Sequence, residues 1–100
     1  MRKKMSLTTH RAHVFYSGRV QGVGFRHTAE MFAHELGLVG CVKNLPNNGV
    51  ELICEGSKES IEQLFERIKQ SPLGAHITKT ACTWETPSHE FKDFCIEFCY

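Results

Sequence analysis

Within the nine residues Gly18–Arg26, GRVQGVGFR, three glycines sit between a β-forming stretch and an apolar helical repeat, and the run closes on Phe-Arg. At a strand–helix junction the first N–H groups of the helix lack intrahelical partners and point out of its end, where the helix dipole adds partial positive charge. Glycine reaches the positive φ angles that let a short loop curl its N–H groups toward one anion. Arg26 supplies a planar, permanently charged fork that grips two oxygens of a phosphate or carboxylate. The chemistry that suits this set is the holding of an oxyanion. A tight strand–helix turn with a solvated Arg26 accounts for the same composition, and spacing alone leaves the two readings level. Neither G-x-x-x-x-G-K-[ST] nor G-x-G-x-x-G occurs, so the known nucleotide and dinucleotide loops are excluded.

The elements that must position this run follow from periodicity. AHVFYSG, ending at Gly18, is rich in β-formers and reads as a first strand. Phe25, Ala29, Phe32, Ala33 and Leu36 recur at helical spacing, with Gly37 as the stop. VGCVKNL is a second strand, and Pro46, Asn47, Asn48 and Gly49 form a turn into VELICEG, a third. Ser57 is placed to cap a second helix striped by Ile61, Leu64, Phe65 and Ile68 and halted before Pro72. HITKTACTWE is a fourth strand whose irregular phase suits a bulge, and FCIEFCY a fifth, with Phe94, Ile96 and Phe98 on one side.

The first six elements, β-α-β-β-α-β, match the split βαβ plan of ferredoxin-like folds, here with a short C-terminal strand added. The fold class expected is therefore α+β: a ferredoxin-like α/β sandwich with an antiparallel sheet and two helices on one face, the other face open to water. In this plan strands one and two run parallel with strand three between them. The glycine run and Asn44, at the end of strand two, then meet at one edge of the sheet. Taken alone, Asn44 is most simply a turn residue before Pro46. Arg19, Lys43 and His27 are most simply solvated polar groups near that edge.

One hundred residues suffice for one domain, and a net charge of +1 argues against a generic nucleic-acid binder. No apolar run approaches the length of a membrane span, and the basic start MRKKMSLTTHR lacks the apolar segment of a secretory signal. Residues 1–11 read as a flexible extension and 12–100 as the domain. Five cysteines, Cys41, Cys54, Cys82, Cys95 and Cys99, contain no C-x-x-C pair and suit free thiols in a reducing, cytoplasmic setting. Cys41, Cys54 and Cys82 lie in apolar strand contexts, where cysteine acts as a small hydrophobe. Six histidines accompany them, but no Cys/His set has the spacing of a zinc motif.

GRVQGVGFR, GCVKN and NGVELICEG, followed by SPLGAHI and the FCIEF ending, resemble the acylphosphatase family over Ala12–Tyr100. Asn48 stands where an aspartate before the glycine is usual; both residues suit the turn. The resemblance implies hydrolysis of the carboxyl–phosphate bond of small-molecule acyl phosphates. It implies that Arg26 binds the phosphoryl group, that backbone N–H groups of Gln21, Gly22, Val23, Gly24, Phe25 and Arg26 cradle its oxygens, and that Asn44 holds the attacking water. It implies no metal and no organic cofactor. Two other readings compete: a non-catalytic anion-binding or regulatory module on the same fold, and an RNA-binding domain of the same element order. The second needs exposed aromatics on central strands, and VELICEG has none. No nucleic-acid or membrane partner is expected. A monomer is the simplest assembly, with the open sheet face and the cysteine-bearing C-terminal strand leaving room for a dimer.

Overall fold

The computed structural model describes residues 9–97. Strand β1 (His10–Gly18) turns Ala12, Val14 and Tyr16 inward at the two-residue period of a strand. Helix α1 (Phe25–Glu35) buries Phe25, Ala29 and Ala33 on one stripe. Strand β2 (Val39–Asn44) and strand β3 (Val50–Gly56) form a hairpin, and β3 buries Val50, Leu52 and Cys54. Helix α2 (Lys58–Gln70) begins where the Ser57 hydroxyl accepts the Ser60 N–H at 3.1 Å, and it buries Ile61, Leu64 and Ile68. Pro72 then opens a short 3-10 helix, Pro72–His76, capped by Ser71 and not foreseen in the sequence. Strands β4 (Ile77–Glu85) and β5 (Phe94–Glu97) complete the described chain.

The strands lie in the order β4-β1-β3-β2-β5. Both helices contribute to one apolar core with the inward residues of β1, β2 and β3, so they cover the same face. The antiparallel sheet expected from the sequence holds over β1–β4; β5 runs parallel to β2, which makes the sheet mixed. The expected bulge lies at the start of β4, where pairing steps from Ser17–Lys79 to Gly18–Ile77 and passes over Thr78.

Two expectations change. His10 and Arg11 belong to β1 rather than to an extension, because Arg11 pairs with Glu55 and Glu85 across both neighbouring strands and bonds both carboxylates, at 2.9 and 3.0 Å. Residues 1–8, and the placement of Phe98 and Cys99, lie outside the described residues. Cys82, which reads in the sequence as a small hydrophobe in an apolar strand like Cys41 and Cys54, is exposed, since β4 is an edge strand on which only Ile77 is partly covered.

Glu85, Arg11, Glu55 and Val39 form one row across the end of the sheet. The β4–β5 connection is held at this row, and Glu55, 2% exposed, fixes it. Its carboxylate accepts from Arg11, from the N–H groups of Ser88 and His89, and from the Ser88 hydroxyl, at 2.8–3.1 Å. The chain thereby enters β5 beside Gly40, whose N–H donates to Asp93 O at 3.0 Å. Burial of the Phe94 ring, 1% exposed, contributes about 2 kcal/mol to keeping β5 in place.

Burial pushes the Glu55 carboxyl up, but its donors outweigh burial and hold it below the usual carboxylate range. Glu85 is also lowered, first by its bond to His13. A carboxyl lowered on folding contributes stability above its unfolded pKa, and that contribution disappears as pH falls through the folded value. Stability should therefore drop below the ordinary carboxylate range. Glu55→Gln should cost about 2 kcal/mol at neutral pH, the worth of charge-assisted bonds, and should flatten the acid limb. Urea unfolding across pH checks both; an unchanged acid limb would remove Glu55 from this role.

Candidate active site

The sheet register brings the two key side chains together. Tyr16 of β1 and Asn44 of β2 are both partners of Val50, on opposite sides of β3. Two strand spacings, about 10 Å, separate those backbones, and the loop leaving Gly18 spans the gap over the end of β3. Asn44 follows Val42 at the strand period and so lies on the helix-covered face.

Between them lies a cavity of about 210 Å³ lined by Arg26, Asn44, Gly22 and Gly24, with Val20, Phe25, His27 and Ile96 completing its walls. Arg26 and Asn44 are both half-buried. Gly22 and Gly24 have φ of 78° and 81°, and a Cβ at either would meet nothing within 4 Å. Backbone conformation, not space, requires glycine at both. Gly24 in its left-handed conformation also serves as the N-cap of α1 without any side-chain cap. The helix ladder opens with Thr28 N–H donating to Gly24 O at 3.0 Å. The N–H groups of the first helical turn have no partner within the helix, and no acidic side chain in that turn neutralises the dipole.

Gln21 ties the loop to the β2–β3 turn. Its side-chain amide donates to both Leu45 O and Gly49 O, each at 2.8 Å. That turn is itself stiff: Asn48 sits at φ 73°, Asn47 Oδ1 accepts the Gly49 N–H at 2.9 Å, and Leu45 N–H donates to Gly49 O at 2.9 Å. Arg26 and Asn44 are thus held on two elements braced against each other. Gln21 and Val23 do not line the Arg26 cavity; they line a separate one of about 380 Å³ with Arg19, Asn48 and His76, and Val23 is 37% exposed.

The sequence places His27 near this edge as a first-turn residue of α1, most simply solvated; it is exposed and also borders the cavity. Ile96 arrives only through the parallel pairing of β5, opposite Val42, which no local pattern specifies. Among the described residues no cluster of three or more His, Cys, Asp or Glu side chains could hold a metal ion. Chemically, the cavity brings together an arginine, the N-terminal end of α1 and one carboxamide, a set that can bind a small oxyanion.

The family model described as acylphosphatase matches residues 12–96. An acylphosphatase of Roseiflexus sp. (strain RS-1) is 40% identical over 86 residues, spanning 86% of this chain and 92% of that protein. Among solved structures, an acylphosphatase from Coxiella burnetii superposes with a TM-score of 0.82 at 32% identity, over 96% of this chain and all of that one. The acylphosphatase from Bacillus subtilis gives 0.81 at 31% identity, over 88% of this chain and 98% of that one.

Proposed function

The chain belongs to the acylphosphatase family, and on that premise we propose that Arg26 and the 21–26 backbone hold the phosphoryl group of an acyl phosphate while Asn44 orients the water that attacks it. The enzyme is a hydrolase acting on acyl phosphates. The observation that carries the residue assignment is the convergence of Arg26, Asn44, Gly22 and Gly24, from three separate elements, on one small cavity.

The chemistry asks little else of the protein. An acyl phosphate leaves a carboxylate, a good leaving group, so its departure needs no general acid. What remains is to place water in line with the scissile bond and to stabilise charge on the equatorial phosphoryl oxygens. Arg26 and the N–H groups at the start of α1 meet the second need. The Asn44 amide accepts from the water and aims its lone pair at phosphorus, but it takes no proton. The water's proton passes to a phosphoryl oxygen of the substrate.

The positive charge required comes from Arg26 and the helix end. Turnover of an aryl acyl phosphate should therefore persist in excess EDTA, with inorganic phosphate as a competitive inhibitor because it presents the same oxygens. Loss of activity on chelation with recovery on adding a divalent metal would refute this mechanism, as would non-competitive phosphate.

Other features favour a cytoplasmic enzyme without a nucleic-acid partner. No helix among the described residues is long and apolar enough to cross a membrane. The described cysteines, Cys41, Cys54, Cys82 and Cys95, are free thiols, which suits a reducing compartment. The open sheet face, where an RNA-binding domain of this element order would stack bases, offers Phe15 as an exposed aromatic, and one end of it is covered by the β4–β5 connection held on Glu55.

A further inference from the structure

Helix α2 and strand β4 do not close on each other. Between them opens a cavity of about 430 Å³ that shares no lining residue with the Arg26 cavity. Its apolar walls are Tyr16, Phe65, Ile68, Ile77 and Cys82. Part of the wall is built by close backbone approach. The short 3-10 helix brings Gly74 against the end of α2, where a Cβ would meet Lys69 O at 1.9 Å, so only glycine fits. The bulge leaves Thr78, also a lining residue, out of the pairing with β1.

The polar side chains around this cavity favour an anion. Lys69 of α2 and Lys79 of β4 border it, and neither forms an ion pair among the described residues. No acidic side chain borders it among those residues. Tyr16 is 3% exposed, yet no described residue hydrogen-bonds its hydroxyl. His10 Nδ1 is the one side-chain nitrogen or oxygen among the described residues that is both sealed and unpaired. The Tyr16 hydroxyl is therefore not sealed, and the accessible space that Tyr16 borders is this cavity. Burial pushes the phenol up, so it stays protonated at neutral pH and offers its O–H as a donor. The ring rests against Phe25, with centroids 4.9 Å apart.

We propose that the α2–β4 cavity is a binding site for a small aliphatic monocarboxylate, whose hydrocarbon covers Phe65, Ile68 and Ile77 and whose carboxylate accepts the Tyr16 O–H. Lys69 and Lys79 supply the positive field that makes an anion, rather than a neutral ligand of the same shape, the preferred occupant. The hydrocarbon follows from the walls, which gain by losing contact with water. An inorganic phosphate suits the site poorly, because it would give up its hydration to apolar walls and finds no guanidinium among the lining residues. The volume falls at the lower end of the range for small-ligand cavities, about 300–1,000 Å³, and so selects a chain of roughly eight carbons over a long one. The site is independent of the roles given to Arg26 and Asn44.

The test is a titration of the full chain with octanoate, below the concentration at which it forms micelles, at fixed ionic strength and with excess inorganic phosphate to keep carboxylate off Arg26. Trp84 is the only tryptophan and its ring lies 6.4 Å from that of Phe65, so its fluorescence follows binding, and amide chemical shifts locate it. Saturable binding is expected, with shifts centred on Tyr16, Phe65–Lys69 and Gly74–Cys82. Acetate, which lacks the chain, and octanol, which lacks the charge, should each bind about tenfold or more weakly. Tyr16→Phe keeps the ring and removes the donor, and should weaken octanoate roughly fivefold. Lys69→Gln combined with Lys79→Gln should weaken octanoate by a similar factor and leave octanol unchanged. The absence of saturable binding overturns the proposal, as does octanol binding as tightly as octanoate. So do shifts centred on the 20–27 loop, or an octanoate affinity that neither Tyr16→Phe nor the double lysine variant lowers.

Discussion

Asn44→Ala is expected to lose a hundredfold or more of kcat while binding inorganic phosphate almost as well as the parent. If the amide serves only to orient water, its contribution appears in the transition state and not in the ground-state grip on phosphate. The loss of a well-placed polar group at a reacting centre is worth roughly 3 kcal/mol. Asn44→Asp should also be poor, because a carboxylate beside the phosphoryl oxygens adds repulsion even though it could accept a proton. Both variants should fold: Asn44 ends β2 and is half-buried, outside the apolar core. Measuring kcat and the phosphate dissociation constant for each, with circular dichroism as the control, checks the prediction. A folded Asn44→Ala with the parent's kcat would remove Asn44 from the site.

The second large effect belongs to Arg26, and its signature is the reverse. Arg26→Ala should weaken both substrate and phosphate, by about 3 kcal/mol for a lost charged fork, since charge-assisted bonds are worth more than neutral ones. Arg26→Lys keeps the charge and loses the planar geometry, so it should recover only part of that. Phosphate raises the melting temperature of any protein that binds it in the native state alone. That protection should shrink strongly in Arg26→Lys and vanish in Arg26→Ala. Equal protection in Arg26→Lys and the parent would mean that no two-oxygen grip exists.

Much of the architecture was legible because it is written locally. The Ser57 cap, the Asn47–Gly49 turn and the apolar stripes of both helices each rest on neighbours within a few residues. The meeting of Arg26 with Asn44 is not local, but it follows from the handedness and order of a split βαβ unit once the strands are recognised. What escaped was set by distant partners. The direction of β5 depends on how Glu55 holds the crossing segment, 33 and 34 residues away at Ser88 and His89. Ile96 reaches the cavity only through that arrangement. The exposure of Cys82 reflects an edge position that α2 leaves uncovered, and residue type alone carries no sign of it. The resemblance assigns Gln21 a backbone role only; that its side chain also spans to Leu45 and Gly49 is a link only the assembled loop reveals.

The central claim is that water attacks phosphorus within the Arg26–Asn44 cavity, the acyl carbon playing no part. Hydrolysis of an aryl acyl phosphate in water enriched in heavy oxygen, with mass analysis of both products after one turnover, tests it most directly. The account predicts the label in inorganic phosphate and none in the carboxylate. Label in the carboxylate would place the attack at the carbonyl carbon and contradict the roles given to Arg26 and Asn44.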